Sequence, residues 1–202
     1  PLDEANRYFA DPSGIAVDPG GARAYVASAG ADVLSVVDLA LLAHWVSAAR
    51  PAVLDEAIDD LQLSGEYVVA RIPTGRNPQR LVLSSDGRTL LVAERLDDSV
   101  LMVDTASLSV AGRIVLGDGA REDADRQGEM VFTRGAGTFQ GQFTCRSCHP
   151  DGHADGLTYD FDIDGVGRSI VDNRTLQGLA GTAPFKWDGK HPTVADNFQN
   201  GL

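Results

Sequence analysis

One stretch of the sequence occurs twice, and this repeat limits the possible folds more than any other feature. Residues 12–38 and 78–104 align at a constant offset of 66. The identical positions include Pro12 and Pro78, Gly21 and Gly87, Val26 and Val92, Ala27 and Ala93, Val37 and Val103, and Asp38 and Asp104. Such self-similarity is typical of chains built from copies of one supersecondary unit.

Each copy contains three short apolar runs separated by turn residues, which predicts antiparallel strands. In the first copy these runs are Ile15–Val17, Ala24–Ala27 and Val33–Val37. A fourth run follows in each copy, at Tyr67–Ile72 and Val110–Val115, and the two lie about 42 residues apart. This spacing falls within the roughly 40 to 45 residues of a four-stranded propeller blade. We therefore predict two antiparallel blades within residues 1–118.

The first copy is longer because it carries an insertion at about residues 39–64. Apolar residues in it recur at helical spacing, as Leu41, Leu42, Trp45 and Val46, and then as Leu54, Ile58 and Leu61. Pro51 is well placed near the start of a second helix. The pattern predicts a helical hairpin whose apolar side covers the blades.

The chain has only two cysteines, and both lie in the segment Cys145-Arg146-Ser147-Cys148-His149. This C-x-x-C-H pattern is typical of covalent haem attachment. Two thiols on one helical turn can add to the two vinyl groups on one edge of a porphyrin, and the adjacent imidazole can bind the iron. Cys145 and Cys148 are thus the predicted anchors of one haem c, and His149 is its proximal ligand.

Other uses of the two thiols stay open at this point. A structural zinc site needs about four protein ligands, and the remaining histidines, His44, His153 and His191, are not spaced for one. A thioredoxin-like pair would follow a strand in a βαβ unit, whereas the approach at residues 135–141 is glycine-rich. An ordinary disulfide or unreactive thiols are further alternatives.

The distal position of the iron decides between electron transfer and peroxide chemistry. No methionine follows His149. His191 is the candidate distal ligand, because the intervening chain is long enough to return over the far face of the haem. Met130, His153 on a continuing helix, a ligand from elsewhere and an open site are the alternatives.

The chain is expected to have two parts joined by a polar linker. Residues 119–127 are polar and charged, and residues 128–202 form the predicted cysteine-bearing domain, beginning with a short helix at 128–132. Glycines recur after His149 and prevent long regular elements. The expected fold is mixed, with β-blades followed by a mainly α and loop domain whose core is largely supplied by its cofactor.

Two resemblances cover most of the chain. Asp86-Gly87, Leu91-Val92-Ala93 and residues 100–104 resemble the YVTN family of β-propeller repeats. Residues 143–152, 154–157 and 181–189 resemble the c-type cytochrome domain that is found fused to such propellers and is related to bacterial di-haem cytochrome c peroxidases. The peroxidases have two C-x-x-C-H motifs and this chain has one, so the resemblance implies electron transfer more than peroxidase activity.

These features lead to expectations about function and partners. The first hypothesis is a periplasmic or secreted c-type cytochrome that transfers single electrons, and the alternative is a peroxidase-like or propeller-based oxidoreductase of which this chain is a part. Because two blades cannot close a ring, further blades from the same polypeptide or from other subunits are expected. Asp160–Gly165 reproduces the first half of a calcium-binding loop, although Val171 stands at the twelfth position.

Charge limits the partners. The chain has 17 Lys plus Arg against 29 Asp plus Glu, a net charge of −12. This balance argues against a nucleic-acid partner and favours a redox partner with a basic docking surface. No apolar run approaches the roughly 20 residues needed to cross a bilayer, so no membrane span is expected.

Overall fold

The computed structural model describes residues 9–48, 61–117, 123–138, 141–160 and 170–196. Eight strands form two four-stranded antiparallel sheets, each in sequential order. The first sheet contains β1 (Pro12–Val17), β2 (Arg23–Ser28), β3 (Val33–Asp38) and β4 (Val68–Pro73). The second contains β5 (Pro78–Leu83), β6 (Thr89–Glu94), β7 (Ser99–Asp104) and β8 (Ser109–Val115). The predicted pair of propeller-type blades is confirmed.

The equivalence of the two blades extends to their irregularities. β1 and β5 each shift register just after their first proline, between Pro12 and Gly14 and between Pro78 and Arg80. The turns that lead into β2 and β6 each place a glycine in the left-handed region, with φ of 67° at Gly21 and 69° at Gly87. Glycine adopts this conformation at little cost, which explains why both copies keep it.

The main core lies between the two blades. The first blade contributes Tyr25, Leu34, Val36 and Ile72, and the second contributes Leu90, Val92, Leu101 and Val103. All eight residues are at most 5% exposed. Face-to-face burial of apolar side chains therefore joins the blades into one body.

The inserted segment is partly described. The helix α1 (Leu39–Ala48) directly follows β3, and the Asp38 carboxylate accepts hydrogen bonds from the first turn at 2.9 and 3.0 Å. Leu39 and Leu42 pack against the first blade, whereas Leu41 and Val46, which the sequence also predicts on the covering side, are exposed. The second predicted helix lies largely outside the described residues, and the chain re-enters the described part as a 3₁₀ helix, Leu61–Glu66.

The helix α2 (Ala124–Thr133) begins inside the segment that the sequence predicts as a linker. The helix begins there because the Asp123 carboxylate accepts a hydrogen bond from the Arg126 amide at 2.9 Å and caps the helix. The predicted helix at 128–132 is therefore only the second half of the element.

The rest of the described chain has little regular structure. It contains the four-residue helix α3 (Cys145–Cys148) and a two-stranded ribbon, β9 (Thr158–Asp160) and β10 (Ile170–Asp172). None of the helices in the described ranges is long and apolar enough to cross a membrane. The loops around α3 hold the candidate site.

Candidate functional site

The helix α3, called the cysteine helix below, is capped at its start by reciprocal hydrogen bonds. Thr144 Oγ1 accepts from the Ser147 amide at 3.1 Å, and the Thr144 amide donates to Ser147 Oγ at 3.0 Å. A helix of four residues has little stability of its own, so such a cap matters to its geometry. Thr144 and Ser147 thereby hold both cysteines on one turn.

Both predicted anchor thiols are free and half-buried. Burial raises the pKa of the Cys145 thiol, and the neighbouring Cys148 raises it further. Within the described ranges, no three side chains of His, Cys, Asp or Glu gather into a metal-binding group. The two thiols lie three positions apart on the capped turn, as the predicted attachment requires.

The imidazole of His149 is oriented by a backbone carbonyl. Its Nδ1 lies 2.9 Å from the His153 carbonyl oxygen. Because a carbonyl oxygen can only accept, Nδ1 carries a proton and donates, so in the neutral imidazole Nε2 holds the lone pair. Metal-binding histidines commonly donate their second ring nitrogen to a carbonyl or carboxylate in this way. The contact with the His153 carbonyl therefore leaves Nε2 as the ring nitrogen not engaged by that carbonyl.

The path of the chain after the cysteines corrects one expectation about His153. The helix does not continue from the cysteines to His153, since it ends at Cys148 and a 3₁₀ turn, Pro150–Gly152, follows. Asp151 within that turn has φ of 53°, which interrupts the helical path. The exposed ring of His153 lies 3.3 Å from Thr175 Oγ1.

A second segment of the chain supports the end of the cysteine helix. Asn173 Nδ2 donates to the Cys148 carbonyl and also to Asp155 Oδ1, the latter at 3.1 Å. The Asp155 amide donates to the same Cys148 carbonyl at 3.2 Å. The Leu176 amide donates to the Gly152 carbonyl at 2.8 Å. Residues 173–176 therefore fix the loop that carries His149.

Asp155 also binds the phenol of Tyr159. The hydrogen bond from Tyr159 lowers the pKa of the Asp155 carboxyl, and the amide of Leu157 lowers it further. The same bond raises the pKa of Tyr159, with a smaller contribution from Cys148. The pair therefore keeps a carboxylate and a neutral phenol beside the second cysteine.

The helix α2 attaches this part of the chain to the turns at one end of both blades. Arg134, just after α2, pairs with Asp32 at 2.9 Å, and Arg126 in its first turn pairs with Asp98 at 2.9 Å. Asp32 and Asp98 are equivalent positions of the repeat. Because each blade supplies the same carboxylate, α2 spans the two blades through matched ion pairs.

Two further contacts seat α2 on the second blade. Arg95 pairs with Glu129 at 2.5 Å, and Arg76 Nη1 donates to the sulfur of Met130 at 2.8 Å. Met130, an alternative distal ligand in the sequence, thus faces the blades through Arg76. Arg76 itself pairs with Asp97 at 2.5 Å.

The cysteine helix contacts the first blade at Gly30. The Gly135 amide donates to the Gly30 carbonyl at 2.8 Å. A Cβ at position 30 would collide with the methyl group of Thr144, which is fully buried. Arg146, between the two cysteines, lies 3.9 Å from Asp11 of the same blade. The capped turn therefore lies directly on the blade edge.

The structure does not bring His191 into this hydrogen-bond network. Its backbone pairs with Phe185 in an isolated bridge, with the Phe185 amide donating to the His191 carbonyl at 2.7 Å. Among the described residues no hydrogen-bond partner meets its buried Nδ1. Most of the predicted calcium loop lies outside the described residues.

Sequence reasoning missed several residues that build the site. Gly30 and Asn173 lie far along the chain from the cysteines and give no local signal, whereas Asp32 is identical to Asp98 at the repeat offset. Thr144 does give a local signal, because Ser and Thr are common residues at the N-cap of a helix. The capping box is hard to recognise in the sequence, because Ser147 occupies the position at which Glu or Gln is usual.

Comparison with curated proteins finds a relative for part of this chain. The beta subunit of hydrazine synthase from Kuenenia stuttgartiensis is 35% identical over 106 residues, which are 52% of this chain and 28% of that subunit. This chain is related to that subunit. It spans less than a third of the subunit's length. No protein-family profile matches the chain.

Two solved structures have similar parts. Kuenenia stuttgartiensis hydrazine synthase matches with a TM-score of 0.49 and 35% identity, over 52% of this chain and 30% of that chain. Dihydro-heme d1 dehydrogenase NirN, in complex with DHE, matches with a TM-score of 0.36 and 25% identity, over 52% of this chain and 17% of that chain.

Proposed function

We propose that the chain is an extracytoplasmic c-type cytochrome carried on propeller blades, and that it transfers single electrons through one covalently bound haem. Cys145 and Cys148 would hold the porphyrin through thioether bonds. His149 would be the proximal iron ligand, and His191 is the candidate distal ligand. Because haem is attached to this motif outside the cytoplasm, a periplasmic or secreted location goes with the proposal.

The observation that supports this function best is the state of His149. Its Nδ1 donates to the His153 carbonyl, so in the neutral imidazole Nε2 presents a lone pair. The imidazole lies next to two thiols on a capped turn whose end is held by Asn173. A thiol pair alone would serve a disulfide, but it would not explain a histidine held in the metal-binding tautomer beside it.

The packing of the same region fits a large apolar cofactor. Among the described residues after 140, only Thr144 is fully buried by the rest of the chain. Several large apolar side chains there are exposed, namely Phe143, Leu157, Ile170, Trp187 and Val194. A porphyrin face would bury such side chains and supply the hydrophobic free energy that the segment lacks.

The chain's own residues would prepare the site for electron transfer. The haem would supply a one-electron iron couple whose potential depends on its axial ligands, hydrogen bonds and burial. The His153 carbonyl fixes the plane and tautomer of His149, and Asn173 fixes the Cys148 carbonyl. Exposed carboxylates nearby, Asp151, Asp160, Asp172 and Asp188, would meet a redox partner with a basic surface.

Intact mass spectrometry of protein made with a c-type haem maturation system tests the attachment. We expect the mass of the polypeptide plus one haem, and we expect the double variant Cys145→Ser, Cys148→Ser to lose this added mass. Arg146→Lys, between the cysteines, should retain it. A wild-type chain that matures with no added mass would contradict the proposal.

A second function is favoured by the relation to a subunit of a synthase. In this alternative the chain is part of a propeller-based or peroxidase-like oxidoreductase. Visible spectra distinguish the two functions. A low-spin iron that does not react with carbon monoxide or peroxide supports electron transfer, whereas an iron that binds carbon monoxide supports the enzyme.

A further inference from the structure

The edge of the first blade contains a notch that the second blade lacks. At the repeat offset of 66, Gly30 corresponds to Leu96, whose side chain is fully buried in the second blade. At Gly30 the space of a side chain is filled instead by the Thr144 methyl group from the cysteine-bearing segment. The backbone φ of Gly30 is not positive, so turn geometry does not require glycine there.

We propose that Gly30 is a positioning residue for the cysteine helix, and that its missing side chain seats the Thr144 cap against the blade. The Thr144 hydroxyl is the group that accepts from Ser147 and starts the helix. The Gly30 carbonyl also accepts from the Gly135 amide at 2.8 Å. One glycine of the propeller thus receives both the start of the helix and the chain leading to it.

The neighbouring ion pairs fix the direction from which the helix approaches this notch. Asp32 lies two residues after Gly30 and pairs with Arg134, which immediately precedes Gly135. Arg146 within the helix approaches Asp11 on the same edge. A shift of Thr144 away from Gly30 would therefore tilt the helix about fixed neighbours and move the thiols and His149. The inference deepens the proposed function and rests on it for the haem readout only.

The variant Gly30→Ala tests the proposal on unloaded protein. The added Cβ must push Thr144 outward, so we expect Cys145, now half-buried, to react with iodoacetamide several-fold faster than in wild type. The matched control is Gly20→Ala in the same blade, since no atom lies within 4 Å of its added Cβ. Circular dichroism of each variant verifies that the blades are folded.

A second substitution separates positioning from general damage. Thr144→Ser keeps the capping hydroxyl and removes the methyl group that the new Cβ would meet. In Gly30→Ala, Thr144→Ser we expect most of the slow alkylation of wild type to return. Ala10 also lies near the new Cβ, at 3.1 Å, so the rescue is expected to be incomplete. Alkylation of Gly30→Ala at the wild-type rate, or no rescue by Thr144→Ser, overturns the proposal.

Haem-loaded protein gives an independent readout. If the wild type carries haem, Gly30→Ala should carry it too and shift the reduction potential relative to wild type and Gly20→Ala, with partial return in the double variant. An unchanged potential overturns the positioning role. Wild type without haem contradicts the proposed function, and the alkylation rates then still decide the role of Gly30.

Discussion

Glu94 is a charged residue in the interior of the second blade. Its side chain is fully buried and accepts from Arg113 at 2.7 and 3.0 Å, from Ser99 at 2.6 Å and from the Gly75 amide at 2.6 Å. Burying a carboxylate is costly unless such partners compensate. The four hydrogen bonds connect three strands and the loop between the blades.

Substituting Glu94→Ala should lower the free energy of unfolding by about 2 to 4 kcal/mol, because it leaves the buried Ser99 hydroxyl and the half-buried Gly75 amide without an acceptor, while Arg113 is exposed enough to be hydrated. Urea unfolding measures this loss. The control is Glu129→Ala, whose pair with Arg95 is 38% exposed on both sides and is expected to contribute less than about 1 kcal/mol. Equal costs for the two variants would contradict the argument.

Asp97 makes the stability of the second blade depend on pH. Partial burial raises its pKa, but hydrogen bonds from the Arg76 amide and guanidinium outweigh this, and the pKa lies below its ordinary value. A carboxyl whose folded-state pKa is lowered stabilises the fold above its unfolded pKa of about 3.9. That contribution is lost as the pH falls through the folded-state pKa.

We therefore expect Asp97→Asn to cost more stability at pH 7 than at about pH 3, where the wild-type carboxyl is also becoming neutral. Urea unfolding of both proteins across this pH range measures the difference. A cost that stays constant with pH would show that the charge of Asp97 is not what binds Arg76.

At the scale of elements, the end of the cysteine helix depends on a segment that follows it by about 25 residues. Asn173→Ala removes the donor shared by the Cys148 carbonyl and Asp155. We expect a local loss of about 1 to 3 kcal/mol, which speeds amide exchange at Leu176 by roughly ten- to a hundredfold. Exchange in β6 and β7 should not change, and a uniform increase across the protein would contradict a local role.

The sequence predicted the strands because their signals are local and occur twice. Alternating apolar residues and Gly-containing turns indicated all eight strands of the blades but not β9 and β10, with ends in error where a register shift adds residues, as at Pro12. The sequence also predicts a haem site at both cysteines and His149, because their spacing suits that chemistry. The start of α2 was missed because its cap, Asp123, lies among many other charged residues.

The attachment of α2 and the cysteine helix to the blades could not be predicted in the same way. Arg134 pairs with Asp32 and Arg146 approaches Asp11, and in both cases more than a hundred residues separate the partners. One arginine among 17 basic residues gives no sign of its partner among 29 acidic ones. Such pairs become visible only when the two-blade fold brings their positions together.

For the whole molecule, the repeat indicates which blade face is left uncovered. The first blade packs on the second through Ala16, Tyr25, Leu34, Val36 and Ile72. Their equivalents on the second blade are Val82, Leu91, Val100, Met102 and Ile114. Val82 is 61% exposed and Ile114 is 47% exposed, while the other three are half-buried. We expect a further blade of the same repeat to cover this face, because the interface between the first two blades provides its template.

Replacing both Val82 and Ile114 with Asp tests this expectation. Because both are already exposed, the variant should change the free energy of unfolding by less than about 1 kcal/mol, whereas Ile72→Asp on the covered face should cost more than about 4 kcal/mol. In sedimentation velocity we expect the wild type to self-associate through the uncovered face and the double variant to remain monomeric. Val131→Asp, an exposed apolar position on α2, should leave the association unchanged. Association that persists in the double variant would show that this face is not the surface through which the chain associates.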